Sequence, residues 1–120
     1  MERTSLLQKA NETKQVPLPE CHGGQGVVEW TDVLSGSSIK GRRLNFLHDD
    51  TLKPGVTIGL HTHETDEEYY YILSGNGIMT LDEQNHQVGP GDIAAVFPGG
   101  THALMNDSEN DMRIIVFSVS

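Results

Sequence analysis

The chain predicts an all-β fold, a sandwich or barrel of short strands preceded by an N-terminal arm. Three observations carry this. From Val27 onward nearly every apolar segment is short and extended. Clusters rich in Gly, Pro, Asn and Asp separate those segments at close intervals. Beyond the arm there is no sustained helical periodicity. Many short strands with turn signals between them indicate a sandwich or barrel.

Residues 1–26 read as an arm and connector, and residues 27–120 as the barrel domain. The arm is polar and ends in Val16-Pro17-Leu18-Pro19, where the prolines oppose both helix and central strand. Ser5 to Lys9 has room for one helical turn. Cys21-His22-Gly23-Gly24-Gln25-Gly26 lacks the lysine and strand-to-helix context of a phosphate loop and reads as a flexible connector, the alternative being that His22 and Cys21 fold over the barrel mouth with the arm. Strands are expected over 27–34, 42–48, 56–63, 67–73, 78–81, 86–88, 93–97, 103–106 and 112–119. Asp49-Asp50 ends the second of these. Ser74-Gly75-Asn76-Gly77 is expected to close a hairpin, since Gly and Asn take positive φ cheaply.

Composition narrows the function. The 120 residues suit one domain, with 36% hydrophobic and 21% charged residues. A net charge of −9, from 17 acidic against 8 basic residues, repels phosphate backbones and anionic membranes. No nucleic-acid or membrane partner is therefore expected. The first twenty residues lack a signal-peptide apolar core, and the single Cys21 forms no internal disulfide. Both features fit a cytoplasmic protein.

Chemistry concentrates in residues 59–77, GLHTHETDEEYYYILSGNG. Alternation on a strand puts His61 and His63 on one face with Thr57 and Gly59, and Val56, Ile58 and Leu60 on the other. On the next strand Glu68, Tyr70 and Ile72 share a face. If those strands are neighbours, two imidazoles and a carboxylate converge, and His102 offers a third imidazole. Such a donor set suits a divalent transition metal ion (Fe, Mn, Ni, Cu or Zn) better than Ca or Mg.

These residues resemble the cupins, small jelly-roll β-barrels. Their first motif is matched by Gly55-VTIGL-His61-Thr-His63-ETDE-Glu68-YYYILS-Gly75. Glu67 would break the six-residue gap to Gly75, which selects Glu68. The second motif is matched by Gly91-DIAAV-Phe97-Pro98-Gly99-GT-His102-ALM-Asn106, with Phe97 where the family usually has proline. The resemblance implies a single-domain cupin jelly-roll barrel, a metal on His61, His63, Glu68 and His102, and a homodimer. It assigns Asn106 as a structural partner. It leaves the reaction open, because cupins include dioxygenases, isomerases, lyases, storage proteins and sensors.

The remaining polar residues are weighed one by one. Tyr70 faces inward with Glu68 and is the candidate catalytic residue as a proton donor, against a plainer role in packing. Tyr69 and Tyr71 point outward. Glu64, Asp66 and Glu67 read as a solvated acidic turn. At most one of Arg42 and Arg43 enters the barrel, and surface positions are preferred for both. His48 and His86 read as exposed histidines beside turns. Trp30 supplies apolar area to the core or to a partner subunit. The expected function is a metal-dependent enzyme of dioxygenase, isomerase or lyase type acting on a small oxygen-rich substrate. The alternative is a non-catalytic module that binds or senses a sugar or organic acid.

Overall fold

Along Met112–Val119 every second residue (Met112, Ile114, Val116, Ser118) is buried, the period of a strand with one face on a core. In this structure, a computed structural model that describes residues 4–120, that strand is β10. The others are β1 (Gln15–Pro19), β2 (Val27–Ser35), β3 (Leu44–Leu52), β4 (Thr57–Thr62) and β5 (Glu67–Ser74). There follow β6 (Gly77–Leu81), β7 (Gln84–Val88), β8 (Ile93–Val96) and β9 (Thr101–Met105).

The strands form two antiparallel sheets, ordered β1-β2-β3-β10-β5-β8 and β4-β9-β6-β7. Leu52, Ile72, Met79, Leu104, Met112 and Ile114 fill the space between them. Each such side chain contributes on the order of 1.5–3 kcal/mol by leaving water. The all-β jelly-roll expectation is met.

Several local expectations are corrected. Pro17 and Pro19 do not prevent a strand: β1 is the edge of the larger sheet and pairs only with β2. An edge strand tolerates the missing N–H groups, and Leu18 packs against the core. The early turn lies at Ala10–Glu12, a single 3₁₀ turn, not at Ser5 to Lys9. Asp49 and Asp50 do not end the second strand, which continues to Leu52 with Asp50 facing inward.

Ser74-Gly75-Asn76-Gly77 does not close a hairpin. It carries the chain from β5 in one sheet to β6 in the other. The tight hairpin lies between β6 and β7, where Asp82 and Glu83 take φ of 47° and 71°. Positive φ at both central residues matches the right-handed twist of the flanking strands.

The correction with the largest consequence is in β4. Ile58 pairs with Leu104, but His61 pairs with His102, so three steps on β4 oppose two on β9. That bulge flips the alternation. Val56 and Ile58, expected on the face opposite the histidines, are therefore in the core, while Leu60 is 61% exposed. Above the bulge the inward face passes to His61.

Candidate metal centre

The four donors come from both sheets. His61 and His102 are cross-strand partners on β4 and β9. His63 lies just past β4, where its backbone exchanges hydrogen bonds with the Pro98–Gly100 turn: its N–H donates to Gly100 (3.1 Å) and its carbonyl accepts from Gly99 (2.7 Å). Glu68 projects from β5 in the opposite sheet. Strands β4 and β5 are thus not hydrogen-bonded neighbours, and the donors meet across the barrel.

Nε2 of His102 lies 2.8 Å from Nε2 of His61 and 3.0 Å from that of His63. Glu68 Oε1 stands 3.1, 3.6 and 3.4 Å from His102, His61 and His63 Nε2. All four ligand atoms fall within 4.8 Å of one another, so this group is able to hold a metal ion. Donors on bonds of about 2.1 Å lie roughly 3.0 Å apart at right angles and 3.4 Å apart at tetrahedral angles.

Hydrogen bonds fix the histidine tautomers that such an ion needs. His61 Nδ1 is 2.8 Å from the Gly59 carbonyl, which can only accept. His63 Nδ1 is 3.0 Å from Asp66 Oδ1. Both Nδ1 atoms therefore donate, leaving bare Nε2 lone pairs aimed at one point. Converging lone pairs repel unless a cation or proton lies between them. His102 Nδ1 is buried without a hydrogen-bond partner among the described residues.

Burial alone would raise the Glu68 pKa. The imidazoles that face it, led by a hydrogen bond from His102, outweigh it and hold the carboxyl well below the usual carboxylate range. Burial lowers the pKa of His102 against the opposing Glu68 carboxylate, which favours the neutral imidazole. The centre thus presents one anionic oxygen and three imidazole nitrogens, the donor set a divalent transition metal favours.

Asp66, expected in a solvated turn, does more. Besides His63 it accepts a hydrogen bond of 2.6 Å from Ser118 Oγ, so β10 holds the residue that orients the imidazole. Asp66→Ala is expected to weaken metal binding by roughly 10–100-fold while the fold is retained. Metal titration beside circular dichroism checks this, and unchanged affinity contradicts it.

Beside the donors lies a cavity of about 90 Å³, lined by Glu68, Tyr70, Trp30, His48, Asp50 and His22 among others. Tyr70 is 2% exposed, its ring 4.7 Å from His102, and burial pushes its phenol well above its ordinary pKa. His48, expected beside a turn in water, is half-buried here, stacked on Phe46 and edge-on to Trp30. Arg42 and Arg43 precede β3 and are exposed, and His86 is exposed on β7.

The connector is also corrected. Cys21–Gly23 forms a 3₁₀ turn folded over the barrel, with the His22 ring stacked on His61 at 3.7 Å. A side chain at Gly59 would strike the His22 carbonyl, so the bulge glycine permits this approach. Thr57 N–H donates to the Gln25 carbonyl (2.9 Å) and Gln25 N–H to Thr57 Oγ1 (2.7 Å), tying the segment down. Nothing local in the sequence marks His22 or Asp50 as cavity residues, because each arrives there through pairing with distant strands.

Burial, with Asp49 beside it, pushes Asp50 up from 3.8 to about 7. An acid raised in this way contributes stability that is complete below its unfolded pKa and lost as pH rises through the folded value. The metal-free protein is therefore expected to lose stability between pH 3.8 and about 7 through this group. The contribution of Glu68 runs oppositely and is lost only in stronger acid. Asp50→Asn is expected to flatten the decline, measured as denaturant midpoints at about pH 5 and about pH 8. An identical decline in the variant contradicts the assignment.

A jelly-roll holding three imidazoles and a carboxylate around one interior point defines a β-barrel protein with a metal-competent centre. The chain belongs to the cupins: the Cupin domain family matches residues 49–118, a span containing all four donors. It is similar to an oxalate-binding protein of Thermotoga maritima, 28% identical over 114 residues, covering 95% of this chain and 93% of that one. A solved structure described as a predicted oxalate decarboxylase of T. maritima superposes with a TM-score of 0.88 at 25% identity, over 95% of this chain and 98% of that one. A putative sugar phosphate isomerase from Acidithiobacillus ferrooxidans (TM-score 0.68, 24% identity, 78% of this chain and 60% of that one) shares the fold. No helix among the described residues is long and apolar enough to cross a membrane.

Proposed function

We propose that this protein holds a divalent transition metal ion on His61, His63, Glu68 and His102 and uses it to grip a small oxygen-rich acid, with oxalate the first candidate. The observation that carries this reading is a four-donor cluster sharing Glu68 with a small cavity. At about 90 Å³ that cavity is far below the roughly 300–1,000 Å³ of drug-sized sites, so the ligand has only a few non-hydrogen atoms. Among the described residues no lysine or arginine lines it, so the ion supplies the attraction for an anion. Against one ionised carboxylate and neutral imidazoles, a divalent ion leaves a net positive site. The likeness to an oxalate-binding protein supports a two-carbon diacid.

Turnover is the second reading, favoured by Tyr70. A bound ion would supply Lewis acidity. Tyr70 keeps its proton beside the centre and is the candidate donor to a reacting ligand. Lyase chemistry such as decarboxylation needs such a donor, and isomerase or dioxygenase chemistry remains within the family's range.

We also infer a homodimer and a reduced, cytoplasmic setting. Tyr71, Leu73 and Ile93 are exposed together on adjoining strands β5 and β8, and Cys21 is a free thiol. Light scattering tests the dimer.

The function is tested by calorimetric titration of oxalate into metal-loaded and chelator-treated protein, with product analysis after incubation. Binding only to the loaded form supports the proposal, and formate release adds turnover. Equal oxalate binding by both forms defeats it.

A further inference from the structure

In the lining of the cavity, Asp50 carries a polar group that the metal centre does not use. The residue is 5% exposed, and its Oδ1 is buried with no hydrogen-bond partner among the described residues. It is held by the sheet, since Asp50 pairs with Trp30 on one side and Ile114 on the other. Trp30, Phe46, Ile58 and Val116 make most of the remaining wall apolar. A buried polar atom without a partner is uncommon, and one on a residue that lines a cavity marks where a ligand's polar atom belongs.

We propose that Asp50 is the specificity-determining residue of this cavity, making a hydrogen bond to the end of the ligand that lies away from the metal donors. This rests on the reading that a small acid sits on the centre. It adds that the acid carries a second oxygen-bearing end, which separates a diacid from a simple monocarboxylate. The carboxyl's elevated pKa supports the donor role below about pH 7, because a protonated acid can donate to a ligand carboxylate where an ionised one would repel it. Asp50 is not a metal ligand here. It acts on which ligand is chosen, not on whether the ion is held.

The test compares oxalate and acetate binding to zinc-loaded wild type, Asp50→Asn and Asp50→Leu, with zinc content measured in each. Wild type is expected to prefer oxalate at least about tenfold, the discrimination given by one hydrogen bond left unmade at a buried site. The Asn variant, which keeps an N–H donor, should retain most of that preference, and the Leu variant should lose it with zinc content unchanged. A wild type that binds both acids equally, or a Leu variant that keeps the preference, overturns the assignment to Asp50. Zinc retained with neither acid bound overturns both this inference and the oxalate reading, whereas loss of zinc in wild type defeats the metal centre itself. Should the Leu variant not fold, the ¹³C resonance of the Asp50 carboxyl in zinc-loaded wild type decides. A shift on adding oxalate but not acetate supports the contact, and no shift with oxalate overturns it.

Discussion

His102→Ala is expected to abolish metal retention while leaving the barrel folded. His102 is 1% exposed and its Nε2 is near all three other donors, 2.8 Å from His61, 3.0 Å from His63 and 3.1 Å from Glu68. Removing a residue that merely orients a ligand weakens binding by about 10–100-fold. Loss of a donor should reach the upper end of that range or exceed it. With metal at 100 times the wild-type Kd, the intact protein gains about 2.7 kcal/mol, whereas a 100-fold weaker variant gains only roughly 0.4 kcal/mol. For 120 residues the first corresponds to a rise in Tm of roughly 10 °C and the second to roughly 1–2 °C. Thermal melts with and without added metal, alongside metal analysis after dialysis, measure both. A variant whose Tm responds to metal as wild type does would remove His102 from the centre.

Asn106→Ala is expected to be the most destabilising polar substitution outside the centre. Asn106 is fully buried. Its Nδ2 donates to the carbonyls of Leu52 and Asn110, both at 2.8 Å. Its Oδ1 accepts from the Ser108 N–H at 3.0 Å and from Ser108 Oγ at 2.8 Å. One amide therefore joins the end of β3 to the loop between β9 and β10. Its backbone adds two more bonds, to Val56 and Gly55, at the entry to β4. Alanine keeps the backbone bonds but leaves the Leu52 carbonyl buried without this donor and frees the loop. Each buried group left unpaired costs about 1–3 kcal/mol. A total loss of about 3 kcal/mol is expected, seen as a lower denaturant midpoint with an unchanged slope. A loss below about 0.5 kcal/mol, the level of an ordinary surface change, would show that the bonds carry no net stability.

How legible the site was depended on the distance over which each constraint acts. His61, His63, Glu68 and His102 could be read because alternation within a strand and spacing between turns are local, and the motif spacing carried the rest. The inward placement of Tyr70 followed from its parity with Glu68. The bulge at Gly59 and Leu60 was not legible, since it exists only in the register of β4 against β9. Simple alternation therefore puts Val56 and Ile58 on the wrong face, while His61 and His63, beyond the bulge, keep their expected one. The route from β5 to β6 is hidden for a related reason: positive φ marks a turn but does not say whether the chain returns to its own sheet. Asp66, His22 and Asp50 gain their roles from Ser118, His61 and the cavity, partners brought close only by the completed barrel. Pro17 and Pro19 show the opposite limit. They oppose a central strand and not an edge one, and only the sheet order makes β1 an edge, where the missing N–H groups are without consequence.

The account stands or falls on whether a transition metal sits where the four side chains converge. Anomalous diffraction from crystals of protein incubated with Mn(II), collected on the high-energy side of the metal edge, addresses this directly. The expected result is one strong peak between the Nε2 atoms of His61, His63 and His102 and the Glu68 carboxylate, at bond lengths of about 2.0–2.2 Å. A map with no peak at that point, while the imidazoles remain drawn together, would contradict it.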